Sequence, residues 1–333
     1  MTVSRRMWLA GLVLTLATCV ASQARAVDPK ILPGDTELVV SFNLKQMLSS
    51  DIAKQYKDII EQARGAIEGQ IQNNPAAKYL EKTGFDLLRD LHSVTVASNG
   101  SKDVDAVFLV IEGKFNAEKI NAVAEEIAGE NAEVLKISKI GSTKVYEITP
   151  AGEKRVYAAL INETTLVAAP SMDALKDAIS GTPRKAMKAN FKSLLKTTSN
   201  KQSFSFAATG SALGKLIADA PIPNVDAAAG MLQGVDGISM AVTIGKDIQI
   251  QLGVNAADEE TAKKTVAAGN FGLLTVRTLA AQKAKEDPNL QPLVDIAKTL
   301  RITSEGNNVL LRGDISLENL EKLIKVLPKG FNR

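Results

Sequence analysis

The sequence predicts an α+β protein of two similar halves, each an antiparallel sheet with helices packed on one face. Three observations carry this. Short runs of alternating apolar residues are joined by hairpin-type turns, and runs of 3.6-residue periodicity stand between them. The order strand, helices, hairpin, helix, hairpin strands, helix is stated twice. In the best overlap, Val235-Asp-Gly-Ile-Ser-Met-Ala241 lies over Leu91-His-Ser-Val-Thr-Val-Ala97 position by position. Identity between the halves is slight, so the prediction rests on order and pattern.

The first half opens with Glu37-Leu-Val-Val-Ser-Phe42 as a buried strand. Asn43 then caps a helical stretch with Ile52, Tyr56, Ile59, Ile60, Ala63 and Ile67 on one face. Asn74-Pro75 restarts a helix that stops near Gly84. Residues 92–98 and 104–112 form a hairpin around Asn99-Gly100. Asn116 caps a helix with Ile120, Val123, Ala124 and Ile127 inward. Four short strands follow, near 134–138, 144–148, 155–161 and 165–169, and Ser171 caps a closing helix.

The second half begins with the strand 202–207 and a helix over 211–218, broken at Pro221-Ile-Pro223. Its hairpin turns at Gly245-Lys-Asp247, and a long helix runs from about Asp258 to Lys285. Strands 301–304 and 309–315 pair around Glu305-Gly-Asn-Asn308. Ser316 caps a last helix with Leu317, Leu320, Leu323, Ile324 and Leu327 on one stripe. The expected units are 1–26, 27–182 and 183–333, the second boundary falling near Gly181-Thr-Pro183.

Residues 1–26 read as an export signal cleaved after Ala26. Arg5 and Arg6 form a basic head, an apolar run extends from Trp8 to about Val20, and Ala24 and Ala26 supply the small residues before the cut. The run is too short to span a bilayer, so no transmembrane helix is expected in the mature chain. Arg5-Arg6-Met7-Trp8-Leu9 also resembles a twin-arginine signal. Leu16-Ala17-Thr18-Cys19 resembles a lipoprotein box, against which Thr18 is a poor neighbour for a modified cysteine. The expected destination is the periplasm or the exterior of a bacterium.

Composition changes once the leader is set aside. Lys plus Arg total 40 and Asp plus Glu 37, and removing Arg5, Arg6 and Arg25 leaves 37 of each. A formally neutral chain has no overall electrostatic claim on nucleic acid. Cys19 and Trp8 are the only residues of their kinds, so the mature chain has neither thiol nor disulfide. Four Tyr and nine Phe leave few flat anchors for sugars or bases.

Three segments carry a resemblance: Pro33-Gly-Asp-Thr-Glu-Leu-Val-Val, Thr83-Gly-Phe-Asp-Leu-Leu-Arg-Asp-Leu and Thr165-Leu-Val-Ala-Ala-Pro-Ser-Met-Asp-Ala-Leu. The chain resembles exported bacterial proteins of unknown function in which such segments recur over most of the mature length. The resemblance implies no activity.

No motif in the sequence gathers a chemistry. Ser193-Leu-Leu-Lys196, Ser41-Phe-Asn43 and Lys82-Thr-Gly84 imitate the penicillin-recognising set, but in reversed order. His92 is the only histidine and stands at a strand entry, without HExxH or metal-ligand spacing around it. Glu125-Glu126 and Asp258-Glu259-Glu260 fit helix faces and first turns, and neither these nor Asp103-Val-Asp105 sit in the Gly-punctuated loop a calcium site needs or form a glycosidase pair. Phosphate loops are absent from the sequence, and no cofactor or metal site is expected.

One stretch exceeds the background. No acid lies between Asp177 and Asp219, while Arg184, Lys185, Lys188, Lys192, Lys196, Lys201 and Lys215 do. Arg184, Lys188, Lys192 and Lys196 recur every four residues, opposite Met187, Phe191, Leu194 and Leu195, which predicts a basic amphipathic helix over 184–196. Arg184, Lys185, Lys188, Lys192 and Lys196 are thus candidate contacts for anionic lipid or polyanion. The bland alternative is a solvated face whose cations meet acids elsewhere in the fold.

The functional expectation is an exported, non-enzymatic binding or envelope-associated module, whose partner is an envelope component or another protein. A peripheral binder of anionic lipid through the basic helix is the alternative, and a carboxylate-based hydrolase the third.

Overall fold

The structure is a computed structural model that describes residues 27–72, 77–101, 107–149, 154–218 and 235–326. The expected export segment 1–26, the expected helix restart at Asn74-Pro75, the 103–105 acids and the expected break at 221–223 lie outside these residues. The first half contains β1 (Leu38–Asn43), α1 (Leu44–Ser49), α2 (Asp51–Gln55), α3 (Lys57–Gln72), α4 (Ala77–Thr83), α5 (Leu87–Asp90) and β2 (Leu91–Ser98). After these come β3 (Phe108–Gly113), α6 (Ala117–Glu130), β4 (Leu135–Ile140), β5 (Thr143–Ile148), β6 (Val156–Asn162), β7 (Thr165–Ala169) and α7 (Met172–Ser180). The second half contains α8 (Ala189–Leu195), β8 (Phe204–Thr209), α9 (Gly210–Ala218), β9 (Val235–Ile244), β10 (Ile248–Ala256) and α10 (Glu259–Glu286). It ends with a 3-10 turn, α11 (Gln291–Thr299), β11 (Arg301–Glu305), β12 (Asn308–Ile315) and α12 (Leu317–Val326).

The expected α+β class is what the chain adopts, but its strands join one sheet where two were expected. The twelve strands run in the order β11-β12-β10-β9-β8-β1-β2-β3-β7-β6-β5-β4, and neighbouring strands are antiparallel throughout. The joint is the β1–β8 pair, with Val40 opposite Phe206. Outward from that joint, each half places its first strand, then its hairpin, then its last strand. The 181–188 connection therefore divides the sequence without dividing the sheet.

Local signals account for the helix ends. Asn43, Asn116, Ser171 and Asp258 each accept a backbone N–H from the first turn of the helix they precede, and Ser316 does the same for Asn319. Gly84 and Gly181 end helices at φ +69 and +62, a backbone region that other residues enter at a cost. Helix α11 is an element the sequence pattern does not predict; Pro292 sits in its first turn, where a missing N–H costs nothing.

The two sheet faces differ. The first carries the main core: Val39, Ala97, Phe108, Val110, Val145, Ala159, Val167 and Ala207 meet Leu175 and Ala178 of α7 and Phe191, Leu194 and Leu195 of α8. Val27 and Leu32 insert into the same cluster, so the stretch just after the expected cut is part of the core. Gly34 makes this possible: a Cβ there would lie 1.7 Å from the Lys185 carbonyl oxygen.

On the second face, α6 covers β4 to β7 through Ala124, Leu135, Tyr146 and Ala158, and α10 covers β10 to β12 through Ala262, Val266 and Val309. Between these helices the register aligns Val40, Phe42, Val94, Val96, Phe204, Phe206, Met240 and Val242 on the same side. Seven of these side chains are half-buried, and Phe42 is 44% exposed, its ring 5.1 Å from that of Phe204.

Candidate functional site

The five basic candidates do not form the expected helical face. Residues 183–188 are irregular, and α8 begins only at Ala189, with Lys188 at its N-cap position and no side-chain cap. The reason lies in what the connection must reach. Met187, Phe191, Leu194 and Leu195 are all buried, and Gly34 packs against the Lys185 carbonyl, so the chain follows the core and abandons the helical repeat. Arg184 pairs with Asp173 at 3.1 Å and with Asp177 at 2.9 Å. Lys188 pairs with Glu37. Lys185, Lys192 and Lys196 are exposed and form no ion pair among the described residues.

Glu37 is held from several sides. Thr209 donates its hydroxyl to Oε2 at 2.9 Å, and Lys188 donates to Oε1. Burial raises this carboxyl, but the hydrogen bonds from Lys188 and Thr209 outweigh burial and hold it below the usual glutamate value. These two cations are thus structural ties of the kind that the solvated-face alternative describes.

Two clefts gather the remaining polar and apolar groups. The first, about 600 Å³, is lined by Ser41, Asn43, Lys45, Gln46, His92 and Glu112 together with the 199–202 turn. Its polar groups are largely spent on one another. Ser41 Oγ lies 2.7 Å from Thr95 Oγ1, Ser93 donates to Glu112 at 2.7 Å, and Asn43 donates to the Asn200 carbonyl at 2.6 Å. Gln46 donates to the Ile244 carbonyl and accepts the Ser203 hydroxyl.

Ser205 Oγ is buried there without a protein partner. His92 is held below its usual value, first by burial and then by Lys45 and Lys114, so it is neutral at physiological pH. It forms no hydrogen bond with the cleft's hydroxyls among the described residues, and the hydroxyl of the adjoining Ser93 is given to Glu112. Glu112 is the one carboxylate lining this cleft among the described residues, so a pair of facing acids is not formed there.

The second cleft, about 670 Å³, lies on the other sheet face, where α4, α5 and the start of α6 arch over β2, β3 and β7. Leu91, Val94, Ile111 and Leu166 make its floor; Leu80, Phe85, Leu87, Phe115 and Ile120 make its walls. Phe85 and Phe115 stack at 5.3 Å, nearly parallel, at one side. Asp86 shapes the roof by accepting the N–H groups of Leu88 and Arg89, which starts α5. Asp90 is fixed by the Arg89 guanidinium and the Asp86 N–H; the Arg89 bond overcomes burial and holds its carboxyl down to about 2. Lys114 and Lys119 also line this cleft and are exposed.

The three motif fragments are scattered. Ser41 and Asn43 line the polar cleft, Thr83 and Gly84 line the apolar one, Lys82 pairs with Glu126, and Ser193 and Lys196 line neither. Among the described residues no group of three His, Cys, Asp or Glu could hold a metal ion, and no helix is long and apolar enough to cross a membrane.

Neither a family model nor a curated protein matches the chain. Weak structural likeness exists to TP0453 in three of its crystal forms. Form III is 13% identical with a TM-score of 0.42, form I 14% with 0.41, and form IV 13% with 0.44. Each match covers 90% of this chain and 96 to 99% of the other.

The sequence pointed to neither Lys114, Lys119 nor the apolar walls. A faint signal is present: Phe85 and Phe115 are two of only nine phenylalanines, and each comes one or two residues after a glycine.

Proposed function

We propose that this chain is an exported, non-enzymatic binding protein that holds an apolar guest in the cleft between α4–α6 and the sheet. The observation that carries the reading is the cleft itself. At about 670 Å³ it falls in the size range of small-ligand sites, and its apolar lining is almost entirely half-buried, as expected where side chains meet open space and not one another. The polar cleft supports the non-enzymatic part, because Ser41, Ser93, Asn43, Gln46 and Glu112 are committed to structural hydrogen bonds. Export is supported by the leader pattern of residues 1–26.

Titration with Nile red, a neutral apolar dye, tests the binding. Saturable blue-shifted emission from the folded protein is expected, and it should weaken when Val94→Phe fills the floor. Emission that stays at its aqueous wavelength with the fold intact would remove the reading. Export is checked separately: N-terminal sequencing of protein recovered from the producing cell's envelope should begin at Val27.

The peripheral-binder alternative draws less support, since Arg184 and Lys188 are tied to acids and Arg184 lies outside the helix that carries Lys192.

A further inference from the structure

We infer that the guest of the apolar cleft is a free long-chain carboxylate, its chain along the sheet and its head at the Lys114 and Lys119 ammonium groups. The inference rests on the reading of the cleft as a guest site and adds the chemistry of the guest.

The cleft has an apolar interior and a cationic mouth. Val94, Ile111 and Leu166 stand on adjacent strands: Ile111 is opposite both Val94 and Leu166, so the floor is a continuous apolar strip across β2, β3 and β7. Leu80, Leu87 and Ile120 close over that strip from three helices. The walls offer little hydrogen bonding beyond Thr83 and Asn116, and Asn116 is already used to cap α6. Such a lining suits methylene groups.

Charge at the mouth selects the head. Asp90 is paired with Arg89, and Asp86 shares Arg64 at 3.4 Å with Glu68 at 2.7 Å and gives Oδ1 to the N–H groups that start α5, while Lys114 and Lys119 are left without an acid among the described residues. Neither lysine has an ion pair among the described residues, whereas Lys78, Lys82 and Lys144 close by on α4 and β5 do. The Lys119 ammonium rests against Gly84, at the C-terminal end of α4, and Glu118 beside it is exposed on the first turn of α6. Two unpaired ammonium groups beside an apolar slot complement one anion on one chain. The volume, within the range for a single small ligand, argues for one chain and not two.

The test uses 11-(dansylamino)undecanoic acid, its methyl ester, and unlabelled saturated fatty acids as competitors, with the whole mature protein. The acid should bind saturably, and each methylene added to a competitor should tighten its competition about four-fold until the cleft is full. Lys119→Met and Lys114→Met should weaken the acid about ten-fold together and leave the ester unchanged. Val94→Phe should weaken both probes; should its urea midpoint show that it fails to fold, Leu87→Phe at the rim replaces it.

Acid and ester binding alike, indifferent to both lysines, would overturn the carboxylate assignment. Nile red binding without any binding of the acid would overturn it as well, and would leave the apolar-guest reading standing. Loss of Nile red and both dansyl probes together would remove both readings.

Discussion

Glu37 joins three stretches of chain. Its backbone N–H donates to Ser98, its carbonyl accepts from Thr209, and its carboxylate takes the Thr209 hydroxyl and the Lys188 ammonium. Lys188→Met should therefore cost about 1 to 2 kcal/mol in urea unfolding, toward the low end because the lysine is partly solvated. Loss of nothing measurable would mean that the pair is incidental. Acid behaviour follows from three groups. His92 is depressed below 6.5, so below that pH the unfolded chain takes up a proton before the folded one, and stability falls. Asp90 is depressed from 3.8 to about 2, and Glu37 is depressed below 4.5; their contributions are present above those unfolded values and are lost as pH falls below them. The urea midpoint should accordingly decline in two steps, the first beginning near pH 6.5 and the second below about pH 4. His92→Gln should abolish the first step alone.

At the level of elements, α10 is the unusual one. Its inner line of Ala262, Val266 and Gly269 packs on the sheet, and Arg277 ties it to the carbonyls of Ala297 and Leu300. The opposite side carries Phe271 at 74%, Leu274 at 60% and Leu279 at 55% exposure. Because these side chains are already in water, changing Leu274 and Leu279 to Gln should move the unfolding free energy by less than about 0.5 kcal/mol. A larger loss would show that they pack on something in the folded protein. Elements like α10 were legible because Asp258 announces the start and the helical repeat continues for seven turns. The basic row was misread for a related reason: a four-residue spacing implies a helix only where the backbone is free to form one, and at 184–188 burial of Met187 and contact with Gly34 dictate its path. Neither constraint can be seen from charge spacing.

For the whole molecule, strand identities were readable from alternation, and the α+β class followed. The continuity of the sheet was not, because pairing between β1 and β8 involves residues more than 160 positions apart and either strand could have been an edge. The apolar cleft was hidden in the same way. Its floor and walls come from residues between Leu80 and Ile120 together with Leu166; Leu80, Val94, Ile111, Ile120 and Leu166 read locally as ordinary positions of their own elements, and Phe85 and Phe115 as loop residues. What makes them a cleft is that α4, α5 and α6 stand off from the strands beneath, a tertiary fact without a local sequence signature.

The β1–β8 joint also sets an order of events. A chain synthesised from its N-terminus presents residues 38–43 long before residues 204–209 arrive. During that delay one side of β1 has donors and acceptors without a neighbour, a template for mispairing with another emerging copy. Closing so long a loop is slow compared with the nearby hairpins. Protection of the half-emerged chain, and not the stability of the finished one, is therefore where this architecture is most vulnerable.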